Sequence, residues 1–172
     1  MQGRRTASAG FVRPAAPADL PAIRAIYEPE VLAGTATFEI EPPSVEELAT
    51  RLAKVEAAGL PWLVAEAEGQ VAGYAYAAMY RDRPAYRFTV EDSVYVAEAA
   101  RGRGLGRALL LALIAGARAA GMRQMVAVIG DSANSGSVRL HRACGFRDVG
   151  TLVGVGHKFG RWLDTVLMQR AL

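Results

Sequence analysis

Three glycines and four flanking residues make the segment with the clearest chemistry, Arg101-Gly102-Arg103-Gly104-Leu105-Gly106-Arg107, which follows the apolar string Val94-Tyr95-Val96 and opens an apolar stretch. Glycine has no Cβ, so its backbone N–H groups can come close to an anion. The first turn of a helix adds unpaired N–H groups and the positive end of its dipole. Arg101, Arg103 and Arg107 add charge-assisted donors for further oxygens. The chemistry is anion capture, with a phosphate as the natural ligand; the plainer alternative is a tight strand-to-helix turn with solvated arginines. Two better-known phosphate motifs fail. A dinucleotide fingerprint needs a glycine where Arg107 stands and an acid closing the next strand, which Met125 to Ile129 lacks. A P-loop needs Gly-Lys-Ser/Thr, which is absent.

The elements that must position this turn can be read from periodicity. Phe11 to Arg13 predicts a short strand. Leu20, Ile23, Tyr27 and Val31 recur at helical spacing, predicting a helix from about Ala18 that Pro29 bends or ends. Gly34 to Pro43 reads as a loop. Ser44 with Glu47 forms a capping box ahead of the stripe Val45, Leu48, Leu52 and Val55, with a stop at Gly59. Trp62 to Glu66 and Val71 to Tyr80 read as a hairpin about Glu68-Gly69, and Phe88 to Val96 as another strand. Beyond the glycine turn, Ala108 to Ala120 predicts the most apolar helix. Met125 to Ile129 lacks polar alternation, which suits a central strand covered on both faces. Ser137 to Cys144 predicts a short helix, and closing strands lie near Phe146 to Val153 and Asp164 to Gln169. The class is α/β with a mixed sheet in which two strands flank a crossover helix.

Composition narrows the setting. A chain of 172 residues, 52% apolar, fits one domain over 11–172 with its own core, preceded by a frayed tail over 1–10. The formal charge of +3 is mild: it suits an anionic ligand and is too small for wholesale nucleic-acid binding. The lone Cys144 excludes an internal disulfide framework and a Cys-based zinc site, and it fits a reducing, cytoplasmic compartment. Ala108 to Ala117 is about half the ~20 residues of a membrane helix, and no secretory signal is visible. No metal or membrane partner is expected.

Longer strings carry a resemblance. Arg-x-x-Gly-x-Gly after a Val-x-Val strand, with Asn134 and then Leu140-His141-Arg142-Ala143-Cys144-Gly145-Phe146, resembles the Gcn5-related N-acetyltransferase (GNAT) superfamily across nearly the whole chain. Thr37-Phe38, Tyr86 to Val96 (YRFTVEDSVYV), Val126 to Gly130 and Lys158 to Asp164 (KFGRWLD) resemble its phosphinothricin and methionine sulfoximine/methionine sulfone acetyltransferase branch. The implied fold is the GNAT acyl-CoA N-acyltransferase fold: a mixed, largely antiparallel sheet with two central parallel strands splayed apart, flanked by about four helices.

The resemblance also implies roles. Acetyl-CoA is the implied cofactor: Val94, Tyr95 and Val96 would pair with its pantetheine amides, residues 101 to 107 would hold its pyrophosphate, and Asn134, at the end of the next strand, and Ala143 would complete the cofactor site. Acetyl transfer needs an amine with a free lone pair, so a group must take a proton. Glu91, three residues before Val94, is the candidate base, acting directly or through water; the alternative is an ordinary edge carboxylate. His141 stands where many members carry a tyrosine acid, and it either donates toward the departing thiol or simply packs and hydrogen-bonds. In the branch, the loop with Arg81, Asp82 and Arg83 contacts the acceptor, and Phe38 and Glu39 lie above the acceptor amine. Lys158 and Trp162 belong to a C-terminal hairpin near the site or a dimer partner, and Cys144 reads as a packing residue.

The expected activity is direct N-acetylation of the α-amine of a small anionic amino acid analogue: phosphinothricin, methionine sulfoximine or methionine sulfone. The alternatives are an acetyltransferase for another small amine or a protein N-terminus, and a non-catalytic acyl-CoA-binding regulatory module. Arg81 and Arg83 argue against cationic acceptors. The resemblance also implies a homodimer.

Overall fold

The alternation and stripes just described fold into eleven principal elements, in a computed structural model that describes residues 11–172; the tail expected over 1–10 lies outside the described residues. In chain order they are β1 (Phe11–Pro14), α1 (Leu20–Leu32), α2 (Val45–Ala57), β2 (Trp62–Ala67), β3 (Gln70–Met79), β4 (Thr89–Val96), α3 (Leu105–Ala119), β5 (Gln124–Gly130), α4 (Ser135–Ala143), β6 (Arg147–Lys158) and β7 (Arg161–Ala171). The strands form one sheet in the order β1-β2-β3-β4-β5-β7-β6. Only β4 and β5 run parallel, because α3 carries the chain back across the sheet between them. The expected mixed sheet and four helices are therefore present.

That parallel seam is short. It runs from Thr89↔Gln124 to Asp92↔Ala127 and then stops. Beyond it β4 stays paired with β3 as far as Gly73↔Val96, while β5 stays paired with β7 as far as Gly130↔Thr165. From Ser93 onward the edge of β4 that faces β5 has no strand partner, and the sheet forks.

Side chains alternate across β4. Tyr95 packs against Tyr27 of α1 and stacks on Tyr74, whereas Asp92 meets α4 on the other face. The apolar stripe of α3, with Leu109, Leu110 and Leu113 fully buried, fills the core on that second face. No helix among the described residues is long and apolar enough to cross a membrane.

Several boundaries differ from expectation. Pro29 does not end α1, which runs three residues further to Leu32. Proline removes the bond that the Ala25 carbonyl would accept, but Tyr27 and Val31 on either side are buried, and their packing holds the last turn. The capping box is half made: Ser44 Oγ accepts from Glu47 N at 3.1 Å, while the Glu47 carboxylate turns to Arg51. Helix α3 begins at Leu105, three residues early, because Leu105 is already buried in the stripe. Helix α4 begins at Ser135 because Asn134 Oδ1 accepts from Ser137 N and caps it. The closing strands are longer than expected, continuing to a tight turn at Phe159 and Gly160, both with positive φ.

Strand β5 is central but not covered on both faces. Met125, Ala127 and Ile129 are buried, whereas Val128 is 38% exposed. Helices α1 and α2 pack mainly over β2, β3 and β4, and α1 meets the other half only at its last turn, where Lys158 at the end of β6 bonds to the Glu30 carbonyl.

Pro29→Ala restores a helical N–H without removing a buried side chain. It is expected to raise the unfolding free energy by roughly 1–3 kcal/mol, read as a higher urea midpoint at an unchanged slope.

Candidate active site

The fork opens into a cleft of about 860 Å³, walled by β4, β5, the start of α3, α4 and the loop over 35–39. At one end lies the glycine turn. Gly102 (φ 76°) and Gly104 (φ 82°) take the left-handed conformation, which side-chain-bearing residues avoid. The first hydrogen bond of α3 runs from Ala108 N to the Gly104 carbonyl, so the N–H groups of Leu105, Gly106 and Arg107 have no helical acceptor. Leu105 points its side chain into the core and offers only backbone here. Gly106 lets α3 lie close to α4: a Cβ there would stand 3.3 Å from Leu140 Cδ2.

The three arginines are not equivalent. Arg107 lines the cleft and has no carboxylate partner among the described residues. Arg101 also lines it, but pairs with Glu30 and donates to the Val96 carbonyl at 3.2 Å. Arg103 lies outside the cleft walls and pairs with Glu68 at 3.1 Å. Two positive-φ glycines, a row of unpaired N–H donors and Arg107 suit a diphosphate. Val94, Tyr95 and Val96 line the cleft beyond them, and the Tyr95 ring is turned into the core, so the open strand edge presents backbone.

On α4 the cleft side is set by helical phase. Asn134, Ser137, Leu140 and His141 face it. Ala143, two residues beyond His141, falls on the far side, exposed and outside the cleft walls. The expectation that Ala143 joins the site is thus not met. Asn134 also differs from expectation: it lies beyond the end of β5, and its Oδ1 is taken by the helix cap, leaving the amide N–H₂ as its free donor.

Away from the glycine turn, Glu91 lines the cleft, half-buried on β4. Burial, then the neighbouring Asp92 charge, pushes its carboxyl above the ordinary range, and the Arg81 charge opposes this. Arg81, Asp82 and Arg83 themselves are exposed and outside the cleft walls; the Arg81 guanidinium lies over the Tyr80 ring at 4.8 Å. The structure brings the Arg81 charge to bear on Glu91, but leaves Asp82 and Arg83 outside.

His141 is buried against β4. Its Nδ1 is 2.8 Å from the Ser137 carbonyl, which can only accept, so Nδ1 carries a hydrogen. Its Nε2 is 2.8 Å from Asp92 Oδ2. Burial alone would push the imidazole down, but the hydrogen bond and charge of Asp92, with the Ser137 carbonyl, outweigh it and raise its pKa. Both ring nitrogens are thus committed, Nδ1 to the Ser137 carbonyl and Nε2 to Asp92. Asp92 Oδ1, also buried, has no hydrogen-bond partner among the described residues. Sequence reading did not single out Asp92, because its partner is 49 positions away.

The far wall is the loop that carries Phe38 and Glu39, both lining the cleft. Glu39 pairs with Arg51 of α2 at 2.7 Å, and Thr37 shares a 2.6 Å hydrogen bond with Tyr27. Lys158 is buried beneath this loop, while Trp162 is 71% exposed and packs on His157. Cys144 is buried, and burial raises its thiol pKa, which suits packing and not nucleophilic attack.

The buried pair has a pH signature. A histidine whose folded-state pKa is raised stabilises the fold fully below its unfolded value of about 6.5, and that contribution is lost as pH rises through the higher folded value. Unfolding free energy is expected to fall as pH climbs above about 6.5. Asp92→Asn should cost about 3–5 kcal/mol at pH 6 and flatten this decline. Urea titrations at several pH values check it, and an unchanged slope in the variant refutes the assignment.

Residues 12–167 match the family model described as an acetyltransferase (GNAT) domain. The chain is 59% identical over 154 residues to a phosphinothricin N-acetyltransferase of Alcaligenes faecalis, covering 90% of this chain and 78% of that protein. It is 48% identical over 162 residues to an L-methionine sulfoximine/L-methionine sulfone acetyltransferase of Pseudomonas paraeruginosa, covering 92% of each. Its fold superimposes with a TM-score of 0.92 on a GNAT superfamily phosphinothricin acetyltransferase from Sinorhizobium meliloti in complex with AcCoA, at 50% identity, covering 95% of this chain and 89% of that one.

Proposed function

The chain belongs to the GNAT acetyltransferase family, and we propose that it transfers the acetyl group of acetyl-CoA to the α-amine of a small anionic amino acid analogue of the phosphinothricin, methionine sulfoximine or methionine sulfone type. The observation that carries this reading is the fork itself: one cleft joins a diphosphate-sized set of N–H donors to a half-buried carboxylate, along a strand edge with no partner. The likeness to the Alcaligenes and Pseudomonas enzymes supports the acceptor class.

Acetyl-CoA supplies an activated acetyl thioester. The N–H groups over 102–107 hold the diphosphate, with Arg107 adding charge-assisted bonds and Arg101 joining once it leaves Glu30. The free edge of β4 at Val94–Val96 binds the pantetheine arm as an added strand would, and the Asn134 amide donates to the same arm. An N–H of this edge, fixed by the sheet before anything binds, polarises the acetyl carbonyl.

Glu91 takes the proton of the acceptor ammonium, directly or through one water. Its raised pKa brings it closer to that of the amine it must deprotonate. His141 is not asked to donate: both its ring nitrogens are used, and a thiol with pKa near ~8.5 leaves tolerably as the thiolate. Its hydrogen bond to Asp92 holds α4 against β4. Arg81, whose charge already reaches Glu91, attracts the acceptor's acidic group, and Phe38 packs against its aliphatic stem.

The acetyltransferase unit is read as one domain over 11–172, in the cytoplasm, on the strength of a single buried, unpaired cysteine. A second copy packs against the β6–β7 hairpin, where Val149, Val153 and Trp162 are exposed. Light scattering should give a homodimer, and Val153→Asp should weaken it; a monomeric wild type overturns this.

Thiol release from acetyl-CoA in the presence of the three analogues tests the activity, and the absence of turnover with any of them removes the acceptor assignment. Glu91→Gln should lower kcat by about 10²–10⁴ while leaving acetyl-CoA affinity unchanged. Wild-type kcat/KM should fall on the acid side with an apparent pKa above the ordinary carboxylate range. Arg81→Ala should raise the acceptor KM and spare that of acetyl-CoA.

A further inference from the structure

The loop over 34–39 has no regular structure, yet it supplies Phe38 and Glu39 to the cleft wall. What holds it comes from the other end of the chain. Strand β6 ends at Lys158, whose side chain is 3% exposed. Its Nζ donates to the backbone carbonyls of Gly34 (2.8 Å), Thr37 (2.9 Å) and Glu30 (3.3 Å). An ammonium has three N–H donors, and here all three are used. The Glu30 carbonyl belongs to the last turn of α1, where carbonyls lack helical partners and the helix dipole is negative. No carboxylate forms an ion pair with Lys158 among the described residues. Burial pushes its pKa down, and the more distant Glu30 and Glu39 charges oppose this.

A buried cation without a carboxylate is an expensive way to fill space, since an apolar side chain of the same length would avoid the desolvation penalty. What an apolar side chain cannot do is gather three carbonyl oxygens from two segments of chain. Those segments are the end of α1 and the acceptor loop.

The loop also fits a notch. A Cβ on Gly156 would lie 2.3 Å from Phe38 Cε2, and one on Gly130 would lie 2.7 Å from the Thr35 carbonyl and 3.1 Å from Phe38 Cε1. The Phe38 ring sits where two glycines on β6 and β5 leave room. Thr35 Oγ1 donates to Asp131 Oδ2 at 2.8 Å, tying the start of the loop to the end of β5.

We propose that Lys158 is a positioning residue for the acceptor: its ammonium clamps the 34–39 loop against β6 so that Phe38 is held in its two-glycine notch as the wall of the acceptor end. This rests on the reading that the amine enters at the Glu91 end of the cleft. The clamp meets the diphosphate turn through Glu30, whose carboxylate pairs with Arg101, whereas Phe38 and Thr37 belong to the acceptor loop itself, so the larger effect is expected on the acceptor. A residue that merely stapled the fold would lower stability without separating the two Michaelis constants.

The test compares Lys158→Met with the wild type in steady-state kinetics and in hydrogen exchange of the amides over 35–39. Expected are a rise of about ten-fold or more in acceptor KM, an acetyl-CoA KM within about two-fold, and faster exchange in the loop. Gly156→Ala keeps the three carbonyl bonds but unseats Phe38; it should give the same one-sided KM change, and it serves where Lys158→Met does not fold. Equal changes in both KM values, or loop exchange at the wild-type rate, overturn the proposal. Exchange is read without any acceptor. If the wild type acetylates none of the analogues, the function assigned above fails, while loop exchange in the variants still decides the clamp.

Discussion

Everything in this molecule follows from the point where two parallel strands stop pairing. After Asp92 and Ala127 each strand keeps its outer neighbour and loses its inner one. A peptide edge left unpaired inside a domain needs donors and acceptors from elsewhere. The fork therefore creates a cavity already lined with oriented backbone groups, and it places them on a rigid scaffold and not on a loop. A short 3-10 turn over Glu98–Ala100 links the end of β4 to the glycine turn, so the strand that offers the open edge also leads into the anion site.

Two buried basic side chains flank this cavity and do different work. His141 lies against a carboxylate on β4 and locks α4, with its cap residue Asn134, to the strand. Lys158 donates its hydrogen bonds to backbone oxygens, lies over the Phe159 ring, and fixes a stretch of irregular chain. Both are placements that a hydrophobic core would reject without their hydrogen bonds. Each sits where a wall of the cleft would otherwise depend on loop or short-helix packing alone.

The parts legible in the sequence were those written locally. The glycine-arginine turn, the hairpin at Glu68-Gly69 and the stripe of α3 are patterns within a few residues, and the structure holds all of them. The strings around Glu91 and Lys158 carried the family. Boundaries slipped where a tertiary contact outvoted a local signal: packing of Val31 carries α1 past Pro29, and burial of Leu105 starts α3 inside the glycine turn. Ala143 failed because a motif gives order along the chain and not helical phase. Asp92 with His141, and Lys158 with Gly34, were illegible for a different reason. Their partners are 49 and 124 positions apart, and no spacing rule connects them.

The fork also has a mechanical side. Only four residue pairs join the β1-to-β4 wing to the β5-to-β6 wing through the sheet, and the remaining cohesion comes from helices laid across the join and from the 34–39 loop held by Lys158 and Asp131. A ligand seated in the gap bonds to both wings and acts as a cross-brace for the domain. By mass action, the resistance of the whole fold to heat is then coupled to the supply of its acyl donor.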